Sequence, residues 1–65
     1  MTDFLFDDHG SVTVLTPLTV AAWDWVAEHI PDDALTFGRG IVIEPRYVSA
    51  ILENIDLDGL EVGAS

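Results

Sequence analysis

In the stretch TVLTPLTVAAWDWVAEHIP, residues 13–31, the sequence changes from the pattern of a strand to that of a helix. Before Pro17, Val12 and Val14 alternate with Ser11, Thr13 and, less cleanly, Leu15, close to the period of two that is typical of a half-buried strand. Pro17 cannot continue a strand ladder, and Thr19 suits the N-cap of a helix. From Val20 onward the apolar residues recur with helical spacing, and Pro31 ends the helix at or before Ile30. The stretch therefore predicts a strand followed directly by a helix.

The segments on both sides of this stretch predict hairpins. Residues 3–16 (DFLFDDHGSVTVLT) alternate on either side of the turn residues DDHG, which indicates a first hairpin. Residues 36–44 (TFGRGIVIE) indicate a shorter second hairpin, in which Gly38 and Gly40 allow a tight bend. In its second strand, the two isoleucines of IVI face one side and the valine faces the other.

Residues 44–59 (EPRYVSAILENIDLDG) predict a second helix. Pro45 suits the first helical position and Gly59 suits the C-terminal cap. Its apolar face consists of Val48, Ile51, Leu52 and Ile55. The segment LEV that follows could add a last short strand. The chain is therefore predicted to be a single domain, residues 1–65, of the α+β class: a two-layer ββαββα fold with an antiparallel or mixed sheet and both helices on one face.

The first helix also predicts which side chains enter the core. Val20, Trp23, Ala27 and Ile30 follow the spacing of a buried stripe. Residues two apart on a helix point about 200° away from each other, so Trp25 is predicted to lie at the margin of the core or outside it. There it could act as an aromatic anchor for a partner.

Charge is the most unusual feature of the composition. Twelve Asp and Glu stand against two Arg and no Lys, for a formal net charge of −10, while 49% of the residues are hydrophobic. Such a field repels nucleic acids and anionic membranes and attracts basic surfaces. It also destabilises the folded state by self-repulsion, which favours a monomer. No apolar run approaches a membrane span and the N-terminus is acidic, so we expect a cytoplasmic protein.

Several kinds of chemistry find little support in the sequence. NIDLDG, residues 54–59, matches the first half of a calcium-binding EF-hand loop, but the twelfth position is Ser65 instead of Glu. His9 and His29 lie in different elements without the spacing of metal ligands. There is no cysteine, no phosphate-binding glycine loop and no serine with an obvious base partner. We therefore expect no enzymatic activity, no cofactor and no metal.

The carboxylates instead form groups of like charge. Neighbouring carboxylates on a helix turn or a loop stand at a spacing comparable to that of successive phosphates in DNA, so rows of them can imitate DNA toward a basic groove. The residues predicted to bind a partner are Asp7, Asp8, Asp24, Trp25, Glu28, Asp32, Asp33, Glu53, Asp56 and Asp58. After Pro31, the pair Asp32 and Asp33 is predicted to extend the row that begins on the first helix.

The segments DDHGSVTVLTPLTVAAWDWVAEHI and IVIEPRYVSAILENIDLDGLEV together resemble a group of short acidic bacterial and phage proteins. The recurring pieces are LTPLT before the first helix, WVxEH within it and EPRYV at the start of the second. In size and acidity the chain is similar to the type I-C anti-CRISPR proteins, which include a DNA mimic. The resemblance implies an acidic surface in the bacterial host's cytoplasm that blocks DNA binding by a Cascade-type CRISPR complex, with no catalytic residues. Such a complex holds DNA in positively charged channels.

Two other interpretations remain open at the level of sequence. One is a small antitoxin-like or regulatory module that docks a basic partner protein through Trp25 and nearby apolar surface. The other is a housekeeping domain adapted to high salt, in which the acids only hold solvent. The first predicts weak salt dependence of binding, and the second predicts unfolding at low salt.

Overall fold

The computed structural model describes residues 1–31 and 34–64, with the backbone alone at Phe37. The elements are β1 (Phe4–Asp8), β2 (Thr13–Pro17), α1 (Val20–His29), β3 (Thr36–Phe37), β4 (Gly40–Ile43), α2 (Pro45–Leu57) and β5 (Val62–Ala64). The predicted ββαββα order is confirmed, and the optional last strand is present as β5. The first strand runs further than predicted, because Asp7 and Asp8 belong to β1 and the turn begins after them.

The five strands form one mixed sheet in the order β3-β4-β2-β1-β5. Three neighbouring pairs are antiparallel, and β5 runs parallel to β1. From these pairings, β2 is parallel to β3, and β4 is parallel to β5. Each helix is therefore the crossover between two parallel strands.

The placement of both helices follows from the handedness of these crossovers. The crossover through α1 runs from β2 to β3 at one edge of the sheet. The crossover through α2 starts from β4, which is antiparallel to β2, and runs to β5 at the other edge. Reversing both the strand direction and the lateral direction preserves the hand, so two right-handed crossovers must cover the same face. Trp25 of α1 and Ile55 of α2 do share a single core with Phe4, Leu15 and Ile43 of the sheet.

The N-cap and the C-terminal stop of α1 are as predicted. The Thr19 hydroxyl accepts a hydrogen bond from the Ala22 N–H at 3.1 Å, and α1 ends at His29 with Ile30 as its C-cap before Pro31. A capped start and a proline stop confine this helix to ten residues.

The predicted core stripe of α1 is wrong at Val20, Trp23 and Ala27, and only its fourth member, Ile30, packs against the core. Trp25 is 5% exposed and Ala22 is fully buried, whereas Trp23 is 50% exposed and Ala27 also faces solvent. The helix carries two apolar stripes, and helical spacing alone cannot choose between them. The buried stripe is the one that contains Trp25, whose indole makes an edge-to-face contact with Phe4 and donates a hydrogen bond to Asp58, the C-cap of α2.

The second helix agrees with the prediction. It begins at Pro45, its apolar residues Val48, Ile51 and Leu52 are half-buried, and Ile55 is fully buried. Neither α1 nor α2, the two helices of the described residues, is long and apolar enough to span a membrane.

Gly59 ends α2 in the left-handed conformation with a φ of +81°. Its N–H donates to the carbonyl of Asp56, and the N–H of Leu60 donates to the carbonyl of Ile55. These two bonds form a Schellman motif, which reverses the chain toward β5 and leaves Asp58 at the helix end.

Candidate partner-binding surface

Three of the predicted carboxylates lie together on one surface of the molecule. Asp24 and Glu28 are exposed on α1, one turn apart, and Asp58 reaches them from the C-terminal end of α2. Together they line an open depression of about 510 Å³, with Ala21, Trp25, His29 and Leu60. We call Asp24, Glu28 and Asp58 the α1 acidic patch.

Asp58 is held in this position by the buried tryptophan. The indole N–H of Trp25 donates a hydrogen bond to Asp58 Oδ2 at 2.7 Å. The carboxylate is still about half exposed, so one oxygen ties the two helices together while the group remains open to solvent. A hydrogen bond to a charged acceptor is stronger than one between neutral groups, which favours this orientation of Asp58.

His29 completes the floor of the depression. Its ring stacks on the Trp25 indole, with centroids 4.3 Å apart and planes 14° apart. Its Nδ1 lies 2.9 Å from the Trp25 carbonyl, which can only accept, so Nδ1 carries a proton and donates. Its Nε2 then faces Asp58 Oδ2 at 3.7 Å. In its protonated form His29 adds a positive charge at the C-terminal end of α1, where the helix dipole favours one.

The prediction that Trp25 lies at the margin of the core or outside it is also wrong, because the buried stripe of α1 is the one that contains Trp25. Its indole supports Asp58 from beneath and offers little surface to a partner. The described residues that line the patch include neither arginine: Arg46 pairs with Glu44 at 2.8 Å, and Arg39 lies in the β3–β4 turn.

The other predicted acids lie elsewhere. Asp7 and Asp8 are at the far end of β1, where Asp7 lies 2.9 Å from His9 Nε2 and Asp8 accepts the N–H of Gly10 at 2.8 Å. Glu53 and Asp56 are exposed on α2, and Asp56 lines a separate depression beside β1 and β5. Among the residues that the structure describes, the predicted acids thus fall into several groups. Asp32 and Asp33, predicted to extend the row after Pro31, lie outside the described residues.

Asp3 was not among the predicted residues, yet its carboxylate joins three segments. It accepts hydrogen bonds from the Thr19 hydroxyl at 2.8 Å and from the Glu61 N–H at 3.0 Å. The Glu61 N–H, followed by the Thr19 hydroxyl, lowers the pKa of Asp3 below its usual 3.8. No local pattern marks this residue, since its partners lie 16 and 58 positions away along the chain.

Among the described residues, no group of three His, Cys, Asp or Glu side chains is placed to hold a metal ion. The α1 acidic patch presents carboxylate oxygens to solvent. It can accept hydrogen bonds from guanidinium and ammonium groups, with Asp24 and Glu28 free to adjust and Asp58 already oriented.

Comparison of the chain with models of known protein families, with curated proteins and with solved structures found no match in any of the three.

Proposed function

We propose that this protein is an inhibitor that imitates DNA and occupies a basic nucleic-acid-binding groove. The observation that carries the proposal is the α1 acidic patch, in which Asp58 joins Asp24 and Glu28 from a different helix. Carboxylates one helical turn apart stand about 5–6 Å from each other at Cβ, a spacing comparable to that of neighbouring phosphates. With a net charge of −10 behind it, such a patch competes with DNA for Lys and Arg side chains.

The proposed target is a type I CRISPR surveillance complex, of the Cascade type. This part of the proposal rests on the resemblance of the two long segments to short acidic phage proteins. A complex of this kind holds a nucleic-acid duplex in a positively charged channel through its backbone, so an acidic surface of suitable spacing can enter that channel.

The test is a competition between this protein and labelled target DNA for a type I-C surveillance complex. At about 50 mM salt the wild-type protein is expected to displace DNA, and at about 200 mM salt its affinity falls steeply, because counterions are released on binding. Absence of displacement at the lower salt concentration overturns the proposal.

Two double variants of equal net charge distinguish the effect of the α1 acidic patch on binding from the effect of the total charge. Asp24→Asn with Glu28→Gln raises the net charge from −10 to −8, and so does Glu53→Gln with Asp56→Asn on α2. We expect the first pair to weaken competition by about tenfold or more and the second pair to weaken it far less. Equal losses from both pairs indicate that the total charge acts without a defined surface.

A further inference from the structure

The outer face of α1 exposes a second apolar stripe beside the α1 acidic patch. Val20 is 78% exposed and Trp23 is 50% exposed, and Ala27 lies next to them on the same side of the helix. These residues have the spacing of a core-facing stripe, but the sheet packs against the opposite side of α1. A half-exposed tryptophan at the centre of such a stripe is the residue type most enriched among interface hot spots. We call Val20, Trp23 and Ala27 the α1 apolar stripe.

A small depression continues this stripe toward the sheet. Trp23, Ala27 and Ile30 line one side of it, Ala34 and Ile41 line the other, and its volume is about 180 Å³. Its walls are mainly hydrocarbon, and the size suits one aliphatic or aromatic side chain from outside. An apolar side chain in this position removes the indole face of Trp23 from water and stabilises the complex by burial.

The charges beside the α1 apolar stripe determine which kind of partner can bind there. At 100° per residue, Asp24 lies between the directions of Val20 and Glu28, so the acidic residues border the apolar stripe along the length of α1. A second copy of this chain would bring a charge of −10 against −10, which disfavours self-association through this face. A partner with Lys or Arg beside an apolar side chain is complementary to both features.

We propose that the α1 apolar stripe is the anchor of a protein–protein interface. Trp23 and the depression beside it receive an apolar side chain of the partner, whose flanking Lys and Arg side chains pair with Asp24 and Glu28. The inference deepens the proposed function and rests on it for the partner's identity. Charge accelerates association, while the desolvated anchor slows dissociation and selects a protein surface that has a matching apolar group.

The experiment uses two peptide probes of equal charge: an amphipathic helical peptide of Leu and Lys, and an oligolysine. Affinities are measured by fluorescence anisotropy for the wild type, for Trp23→Ala and for the control Leu57→Ala, which removes an apolar residue that is 74% exposed on α2. Trp23→Ala is expected to weaken binding of the Leu–Lys peptide by about tenfold and to leave oligolysine binding unchanged. Leu57→Ala is expected to change neither, and Trp23→Phe to recover most of the lost affinity.

Equal effects of Trp23→Ala and Leu57→Ala on the Leu–Lys peptide, or equal wild-type affinity for the two probes, overturn the inference. A second readout locates the contact: in protein labelled with 5-fluorotryptophan, the ¹⁹F signal of Trp23, assigned with Trp23→Phe, is expected to shift more than that of Trp25 when the Leu–Lys peptide is added. The reverse pattern also overturns it.

The two proposals fail in different ways. If the wild type does not displace DNA from the surveillance complex, yet Trp23→Ala selectively loses the Leu–Lys peptide, the proposed target is wrong and the apolar anchor stands. If DNA is displaced and Trp23→Ala behaves as wild type with both probes and with the complex, the DNA-mimicking function stands and the anchor is overturned.

Discussion

The two tryptophans of α1 provide the sharpest test of the structure, because they lie two residues apart and differ in burial. Trp25 is 5% exposed, so its truncation to Ala is expected to cost about 3–5 kcal/mol. Trp23 is 50% exposed and buries roughly 100 Å², which sets an upper bound of about 2.5 kcal/mol for its truncation. A domain of 65 residues has a free energy of unfolding of about 3–10 kcal/mol. Trp25→Ala is therefore expected to unfold much of the population, and Trp23→Ala is expected to stay folded.

A milder substitution isolates the bond that orients Asp58. Trp25→Phe keeps an aromatic ring against Phe4, whose centroid is 5.8 Å away, but it removes the indole N–H. Because the Asp58 carboxylate is about half exposed, water replaces part of what is lost, and we expect a cost of about 1–2 kcal/mol. Combined with Asp58→Ala, the double-mutant cycle is expected to give a coupling energy of about 1 kcal/mol.

Urea unfolding followed by circular dichroism measures these differences, since the midpoint shifts in proportion to the free energy of unfolding. The decisive comparison is between the two alanine variants at the same salt concentration. If Trp23→Ala costs as much as Trp25→Ala, or more, then the assignment of the core face of α1 is refuted. A coupling energy near zero between Trp25 and Asp58 would refute the link between the helices.

Three further predictions use the same unfolding assay. Gly40→Ala is expected to destabilise the protein by about 1–3 kcal/mol, because an added Cβ would overlap the Cγ1 atom of buried Val14; a neutral result would show that β2 and β4 separate easily. Since the Glu61 N–H and the Thr19 hydroxyl lower the pKa of Asp3, its ionised form stabilises the fold above pH 3.8, and this contribution is lost as the pH falls through the lower folded-state pKa. Asp3→Asn should therefore show a flatter decline of stability below about pH 4 than the wild type, and an unchanged slope would contradict this role. Finally, raising the salt concentration from about 0.01 M to about 1 M should move the wild-type urea midpoint upward, because a net charge of −10 repels itself, whereas a constant midpoint would contradict that reasoning.

The fold was predictable because its local signals agree with one another. The end of β2 is marked by Pro17, and the two ends of α1 are marked by Thr19 and Pro31. Each of these residues acts through its own backbone or side-chain chemistry. Pro45 and Gly59 do the same for α2. The mixed sheet was less certain from the sequence, because the three-residue strand β5 could pair with either edge.

The candidate surface was predictable only in part. Exposure of Asp24 and Glu28 follows from their place on α1, outside either apolar stripe. Their meeting with Asp58 depends on the packing of two helices that are separated by a hairpin in the chain, and no spacing rule reports it. Asp7 and Asp8 lie at the far end of β1 and do not line the α1 acidic patch, although all five carboxylates look equivalent in the sequence.

The order of the elements and the ends of both helices followed from the sequence alone, because caps, prolines and apolar periodicity act within a few residues of one another. The sequence also determined the strong negative charge, which depends on composition alone. Which of the two apolar stripes on α1 faces the sheet was evident only from the tertiary packing. That choice depends on partners distant in the chain, since Trp25 needs the ring of Phe4 and the carboxylate of Asp58. The burial of Trp25 left Trp23 at the surface, beside Asp24 and Glu28.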